Sequence, residues 1–273
     1  MKKRVSTWRV ALLYSAVFGA ISMSPASVAA TTTKVPAPTV KTVSSTMSLG
    51  AFEAISASGN LAITLTTGSN SSSHTLHIDH PSNQNYSIAV KNRVLTIKQT
   101  TPWWQRVKPA VISVDVSQLK KLTLIDAASL KVSDLNSPSL AIDADTAGSI
   151  DIDGTVGLTS LVSKGPGNIQ VSWVDSPLLK IDSYGSGTIK LSGKVEKLEA
   201  SMSGHGTLEA QYLRANSIMV QTNKFARALV MPLSSLNAFA HGYSNIFYFK
   251  TPKNFSHFTS ESGNVLQLQW RQQ

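Results

Sequence analysis

The chain has 273 residues, 25 Lys plus Arg against 15 Asp plus Glu, no cysteine, and only 15% charged residues, well below the roughly 25% of an ordinary globular protein. Its 42% hydrophobic content supplies a sizeable core and excludes wholesale disorder. Without cysteine there is no disulfide scaffold, thiolate metal site, cysteine nucleophile or acylated lipoprotein cysteine.

The first segment reads as a signal peptide over 1–30. Lys2, Lys3, Arg4 and Arg9 form a basic head, Val10 to Met23 is apolar, and Pro25-Ala26-Ser27-Val28-Ala29-Ala30 supplies small residues at a cleavable site. The apolar stretch is shorter than the about 20 residues a spanning helix needs. No second candidate follows, so the mature chain is expected to begin near Ala30 or Thr31, to lack a transmembrane segment, and to reside in the periplasm or at the cell surface of a bacterium. Loss of the four basic residues lowers the formal charge from +10 to +6. With no long basic run behind it, that mild excess argues against nucleic acid as a partner. Residues 31–46, rich in Thr, Val, Ser and Pro, have the composition of an extended linker.

From Met47 the chain reads as strands, with an amino-terminal β region over 47–118. Leu61 to Leu65, Leu76 to Ile78, Ile88 to Val90, Val94 to Ile97 and Val111 to Val116 each place apolar residues at spacing two, with turn residues between them. No segment holds a sustained helical period. The fold class predicted is all-β.

Over 119–270 the sequence repeats. Leu122, Ile142, Leu161, Ile181 and Ala200 are separated by steps of 20, 19, 20 and 19 residues, and each is followed by a second short alternating run such as Ile150-Asp-Ile152 or Ile189-Lys-Leu191. Two or three further units, starting at Val220, Ala238 and Phe258, depart from the pattern. Small-residue corners lie between the two runs: Gly165-Pro166-Gly167, Gly185-Ser186-Gly187 and Gly204-His205-Gly206, with Ala147-Gly148 and His241-Gly242 at equivalent places. Paired glycines suit a corner that needs positive φ or close approach of the neighbouring coil. A unit of about 20 residues that cannot bury its own apolar face must stack on its neighbours, which predicts a parallel β-solenoid. An antiparallel β-sandwich is the alternative; it accounts for the alternation but not for glycines in register.

These residues resemble a known family. The repeated apolar, polar, apolar runs around Ser-Gly-Ser-Gly-like corners, with the opening Phe52-Glu-Ala-Ile55, Gly59-Asn-Leu61-Ala-Ile63, Thr67-Gly68 and Asn92-Arg-Val94-Leu95-Thr-Ile97, are similar to the putative auto-transporter adhesin head GIN domain family, secreted bacterial proteins of unassigned function. The resemblance runs from about Leu49 to Leu268 and implies a single-stranded right-handed β-helix. The chain departs from the pattern at Asn223-Lys-Phe-Ala-Arg227 and at Pro102-Trp103-Trp104-Gln105, which leaves the coil count after Ala210 open.

A polysaccharide-active enzyme on a β-helix needs acids gathered on one face beside a cation. The outward columns read Lys131, Asp151, Gln170, Lys190, Glu209 and Thr123, Asp143, Val162, Asp182, Ser201, and neither stacks three acids. Asp143, Asp145, Asp151 and Asp153 form the densest acidic cluster but lack a calcium-repeat pattern. His77 and Asp79 fall on one face of a strand and His74 and His80 on the other, so no convergent metal set forms. Neither a Gly-x-Ser-x-Gly elbow nor a Ser, His, Asp set appears. No catalytic residue, metal or cofactor is assigned.

Two candidate binding surfaces remain. Trp103 and Trp104, with Arg106, lie in a loop bracketed by Pro102 and Pro109; paired tryptophans beside a cation suit a sugar ring or a lipid interface, or else fold back to cap the solenoid. At the corner, Ala127, Ala147, Pro166, Ser186, His205, Phe225 and Tyr243 share a column, so His205, Phe225 and Tyr243 form an aromatic ladder beside His241 unless Phe225 turns inward. The expected function is that of an exported, non-enzymatic, adhesin-like binding module whose partner is an envelope glycan, a lipid surface or another protein. The alternatives are a polysaccharide-active enzyme and a structural protein of the envelope that self-associates through open solenoid ends.

Overall fold

Residues 41–67, 74–102 and 108–269 are described by the computed structural model. The expected signal peptide and most of the expected linker lie outside them. Alternating apolar and polar residues make strands with one buried face throughout: β1 (Thr42–Leu49), β2 (Ala54–Gly59), β3 (Leu61–Thr67), β4 (His74–Pro81), β5 (Tyr86–Lys91), β6 (Val94–Gln99) and β7 (Ala110–Val116) come first. Strands β8 (Lys121–Asp126), β9 (Ser129–Val132), β10 (Ser137–Thr146), β11 (Ile150–Ile152) and β12 (Val156–Ser163) then lead into longer strands that bend around corners. These are β13 (Ile169–Ser183), β14 (Thr188–Gly204), β15 (Thr207–Lys224) and β16 (Arg227–Gly242), followed by β17 (Asn245–Tyr248), β18 (Asn254–Glu261) and β19 (Asn264–Gln267).

Successive coils pair in parallel and in register. Leu95, Ile55, Leu122, Ile142, Leu161, Ile181, Ala200, Val220 and Ala238 form one column, and none of them is more than 5% exposed. A second buried column runs Ile112, Ile63, Leu130, Ile150, Ile169, Ile189, Leu208, Ala228 and Ile246. Burying a Leu or Ile side chain stabilises by roughly 1.5–3 kcal/mol, and each rung is covered from both neighbouring coils, so stability resides in the stack and not in a single coil. The molecule is therefore the parallel β-solenoid that the period predicts. Among the described residues antiparallel pairing is confined to β1 with β4, β4 with β7, and β5 with β6, which sets aside the sandwich.

The stack does not follow chain order at its amino-terminal end. Strand β2 pairs on one side with β6 and on the other with β8, while β3 pairs with β7 and β9. The coil built first in sequence thus lies between the second and the third. Hairpin β5–β6 and the antiparallel ladder β1–β4–β7 close this end. Strand β1 starts inside the stretch read as linker: Thr42 to Thr46 pair with Pro81 to His77. All five are exposed, so no apolar alternation marks them in the sequence.

At the other end no strand among the described residues covers the last coil. Leu236 and Ala238, fully buried, are followed one coil on by Phe255 and His257, both exposed.

Candidate functional site

The corner between the two main strands of each coil carries the expected ladder. His205, Phe225 and Tyr243 project outward on three consecutive coils. His205 and Phe225 stack with centroids 4.9 Å apart and planes 16° apart, and Phe225 and Tyr243 stack at 5.5 Å and 8°. Phe225 is 55% and Tyr243 64% exposed, so Phe225 does not turn inward. Ring pairs at such separations attract beyond simple burial, and the near-parallel planes present a continuous apolar strip to solvent.

The glycines make room for this corner by two means. A Cβ on Gly165, Gly167, Gly185 or Gly187 would lie 2.0–2.2 Å from a carbonyl oxygen of the preceding coil, and none of the four has positive φ. Close coil approach is what excludes a side chain there. Gly204 instead needs φ of +112°, and Gly206 lies 3.1 Å, measured from an added Cβ, from the Gly185 carbonyl. In later coils the equivalents of Gly204 are Lys224, Gly242 and Glu261, with φ of 61°, 75° and 57°. The left-handed corner persists through Asn223–Arg227 although its glycines do not.

His241 is drawn away from the ladder: its Nδ1 lies 2.6 Å from Ser260 Oγ and its Nε2 3.6 Å from Glu261, both on the last coil. Trp103, Trp104 and Arg106 lie outside the described residues. The imidazoles of His74, His77 and His80 diverge as the strand alternation requires: His74 packs on Phe52, His77 meets Thr46 and Asp79, and His80 packs on Tyr86. Among the described residues no group of three or more His, Asp or Glu is placed to hold a metal ion.

Several outward acids are paired with lysines, most of them across coils. Lys164 reaches Asp143 at 3.2 Å, Lys190 reaches Glu209 at 3.3 Å and Lys194 reaches Asp175 at 3.1 Å. Glu199 takes Lys197 at 2.6 Å and Lys180 at 3.6 Å; the hydrogen bond from Lys197 is the main cause holding its carboxyl below the usual carboxylate range. A carboxylate kept ionised in this way is a poor proton donor near neutral pH.

A second aromatic cluster escapes the sequence reading. Trp173 and Tyr212, 68% and 63% exposed, line one cleft at the corner that follows the second main strand. The signal is present, since both lie just beyond strand anchors Val171 and Ala210. Register shifts at that corner displace them from a strict count, however.

A family model described as "Putative auto-transporter adhesin, head GIN domain" matches residues 51–252. No curated protein matches the chain significantly. Among solved structures, a "putative lipid binding protein" from Parabacteroides distasonis superposes with TM-score 0.71 at 17% identity, covering 83% of this chain and 96% of that one. A "putative adhesin" from Bacteroides fragilis gives 0.62 at 20% identity, with 85% and 99% covered. Another from Parabacteroides distasonis gives 0.63 at 19%, with 84% and 98% covered. At these identities the likeness is one of fold.

Proposed function

The chain belongs to the family of putative auto-transporter adhesin head GIN domains, and from that premise we propose that it is an exported, non-enzymatic binding module that presents the outside of its solenoid to an envelope glycan, a lipid surface or another protein. The observation that carries this reading is the outward stack of His205, Phe225 and Tyr243. Exposed aromatic rings in a row cost solvation and are retained where a partner covers them. Rigid parallel coils hold the rings at fixed separation without ordering on binding, which favours affinity. The pairing of outward acids with lysines supports a binding role over acid–base catalysis.

Export is supported by the basic head, apolar stretch and small-residue site within 1–30. The decisive experiment is binding of the mature protein to a glycan array and to lipid vesicles, with Phe225→Ala as the comparison. Retained binding by Phe225→Ala would move the surface elsewhere. Trp103, Trp104 and Arg106 are the second proposed surface, in the segment joining β6 to β7. A self-associating structural role is favoured by one observation, the uncovered last coil with Phe255 and Phe258 exposed. Light scattering across a range of concentrations tests it.

A further inference from the structure

Trp173 lies within one register irregularity and Tyr212 closes another. Between the pairs Val171–Leu191 and Val174–Gly193, strand β13 carries one more residue than β14; between Lys190–Glu209 and Ser192–Tyr212, β15 likewise carries one more. Such bulges re-aim a side chain out of the ladder. The coil between them has the short corner, with Ser192 and Gly193 in place of large side chains. Two aromatic rings therefore flank a slot, two coil rises or about 9.6 Å apart along the stack. The cleft holds ≈ 440 Å³, within the range of small-ligand sites.

Two further features mark the cleft. Trp173 has φ of 58°, the left-handed corner that Asp134 and Gly154 also make two residues past the matched anchors Val132 and Ile152, and it places a bulky residue where one is rarely found. Finally, two cations face one carboxylate: Asp175 is taken by Lys194 at 3.1 Å, while Arg214, exposed on the same cleft, makes no ion pair among the described residues.

We propose that this cleft binds an acidic polysaccharide, with Trp173 and Tyr212 stacking on the apolar faces of sugar rings and Arg214 pairing with a uronate carboxylate. The charges of Asp175, Lys194 and Arg214 on the cleft argue for a saccharide over an acyl chain, which would leave them desolvated and unpaired. The site uses other residues than the corner ladder and lies across the intervening strand from it.

The test is isothermal titration of the mature chain with hexagalacturonate as the acidic probe, a neutral hexasaccharide as its counterpart, and phosphatidylglycerol vesicles as an anionic lipid surface. Hexagalacturonate is expected to bind, weakening as salt rises, and the neutral sugar to bind at least tenfold more weakly. Arg214→Gln should bring the two sugars level. Trp173→Gly is the informative variant: glycine accepts φ of 58° freely, so the fold should be at least as stable while affinity falls at least tenfold. Tyr212→Ala should lose a similar factor, and Phe225→Ala, which addresses the corner ladder, should change nothing. Equal affinity for both sugars, no saccharide binding, binding to vesicles alone, or full affinity in Trp173→Gly would each overturn the proposal.

Discussion

A Cβ placed on Gly187 would come within 2.0 Å of the carbonyl oxygen of Gly167, one coil away. Gly185 stands in the same relation to Gly165, at 2.1 Å. The atoms met are backbone, so relief requires the coils themselves to separate. Where the backbone permits a side chain, Gly→Ala usually gains about 0.4–1 kcal/mol by restraining the unfolded chain. Here the sign should reverse. Gly187→Ala and Gly185→Ala are each expected to destabilise by about 1–3 kcal/mol, as overpacking does, and Gly→Val by more. Gly50, with nothing within 4 Å of an added Cβ and no positive φ, is the control; Gly50→Ala should be neutral or mildly stabilising. Urea denaturation midpoints check all of these, and an unchanged midpoint in the corner variants would remove close approach as the reason for the glycines.

The ladder should behave as two couplings and not three. His205 touches Phe225 and Phe225 touches Tyr243, whereas His205 and Tyr243 are separated by the middle ring. Stacked pairs contribute about 0.5–1.5 kcal/mol beyond burial. Double-mutant cycles to alanine should therefore return a coupling of that size for Phe225 with either neighbour. For His205 with Tyr243 the variants should add within about 0.5 kcal/mol. Equal coupling in all three cycles would indicate a shared backbone change and not ring stacking.

Much of this architecture is legible in the sequence because parallel stacking places equivalent residues directly over one another. Leu122, Ile142, Leu161, Ile181 and Ala200 can be aligned by counting, and a step of 20 brings His205 to Phe225, while Tyr243, 18 residues further, is placed by the His241-Gly242 corner. Coil order at the amino-terminal end is a different matter. Leu95 and Leu122 are both apolar alternating residues suited to flank Ile55, and nothing local distinguishes which side each takes. Strand β1 is silent because residues exposed on both faces carry no period. Trp173 and Tyr212 are missed for a third reason: a bulge adds a residue without changing composition, so the count slips where the side chain is re-aimed.

The tryptophan pair gives a prediction that rests on sequence. Trp103→Ala with Trp104→Ala should leave stability within about 0.5 kcal/mol if the loop is a surface, and should abolish the iodide-quenchable part of the intrinsic fluorescence that Trp173 and Trp270 do not supply. Trp173→Gly and Trp270→Phe serve as the references for that subtraction. A large loss of stability in the double variant would assign the pair to a cap over the core.

Glu53 ties the rearranged coils together, and its ionisation should report on them. It precedes β2, while Arg93 precedes β6 and Lys120 precedes β8, the two strands between which β2 lies. Its carboxylate meets Lys120 at 3.0 Å and Arg93 at 2.7 Å, and its backbone bonds to both neighbours as well. The hydrogen bond from Lys120 is the largest cause holding the Glu53 carboxyl below its ordinary value of 4.5, with the charges of Arg93 and Lys120 adding to it against some desolvation. A folded-state pKa lower than the unfolded one means that the unfolded chain binds the proton more readily. The contribution is therefore fully present above about 4.5 and is lost as pH falls through the depressed folded value. Glu53→Gln keeps the shape and removes the charge. The stability gap between wild type and Glu53→Gln should be constant from pH 7 down to about 5, then shrink steadily with further acidification. High salt should narrow the gap at pH 7, because these groups are exposed and screened. Thermal denaturation of the two proteins across that pH series checks the claim. A gap near zero at every pH down to 3 would show that Glu53 acts through its backbone bonds alone and that its carboxylate does not hold the three coils in register.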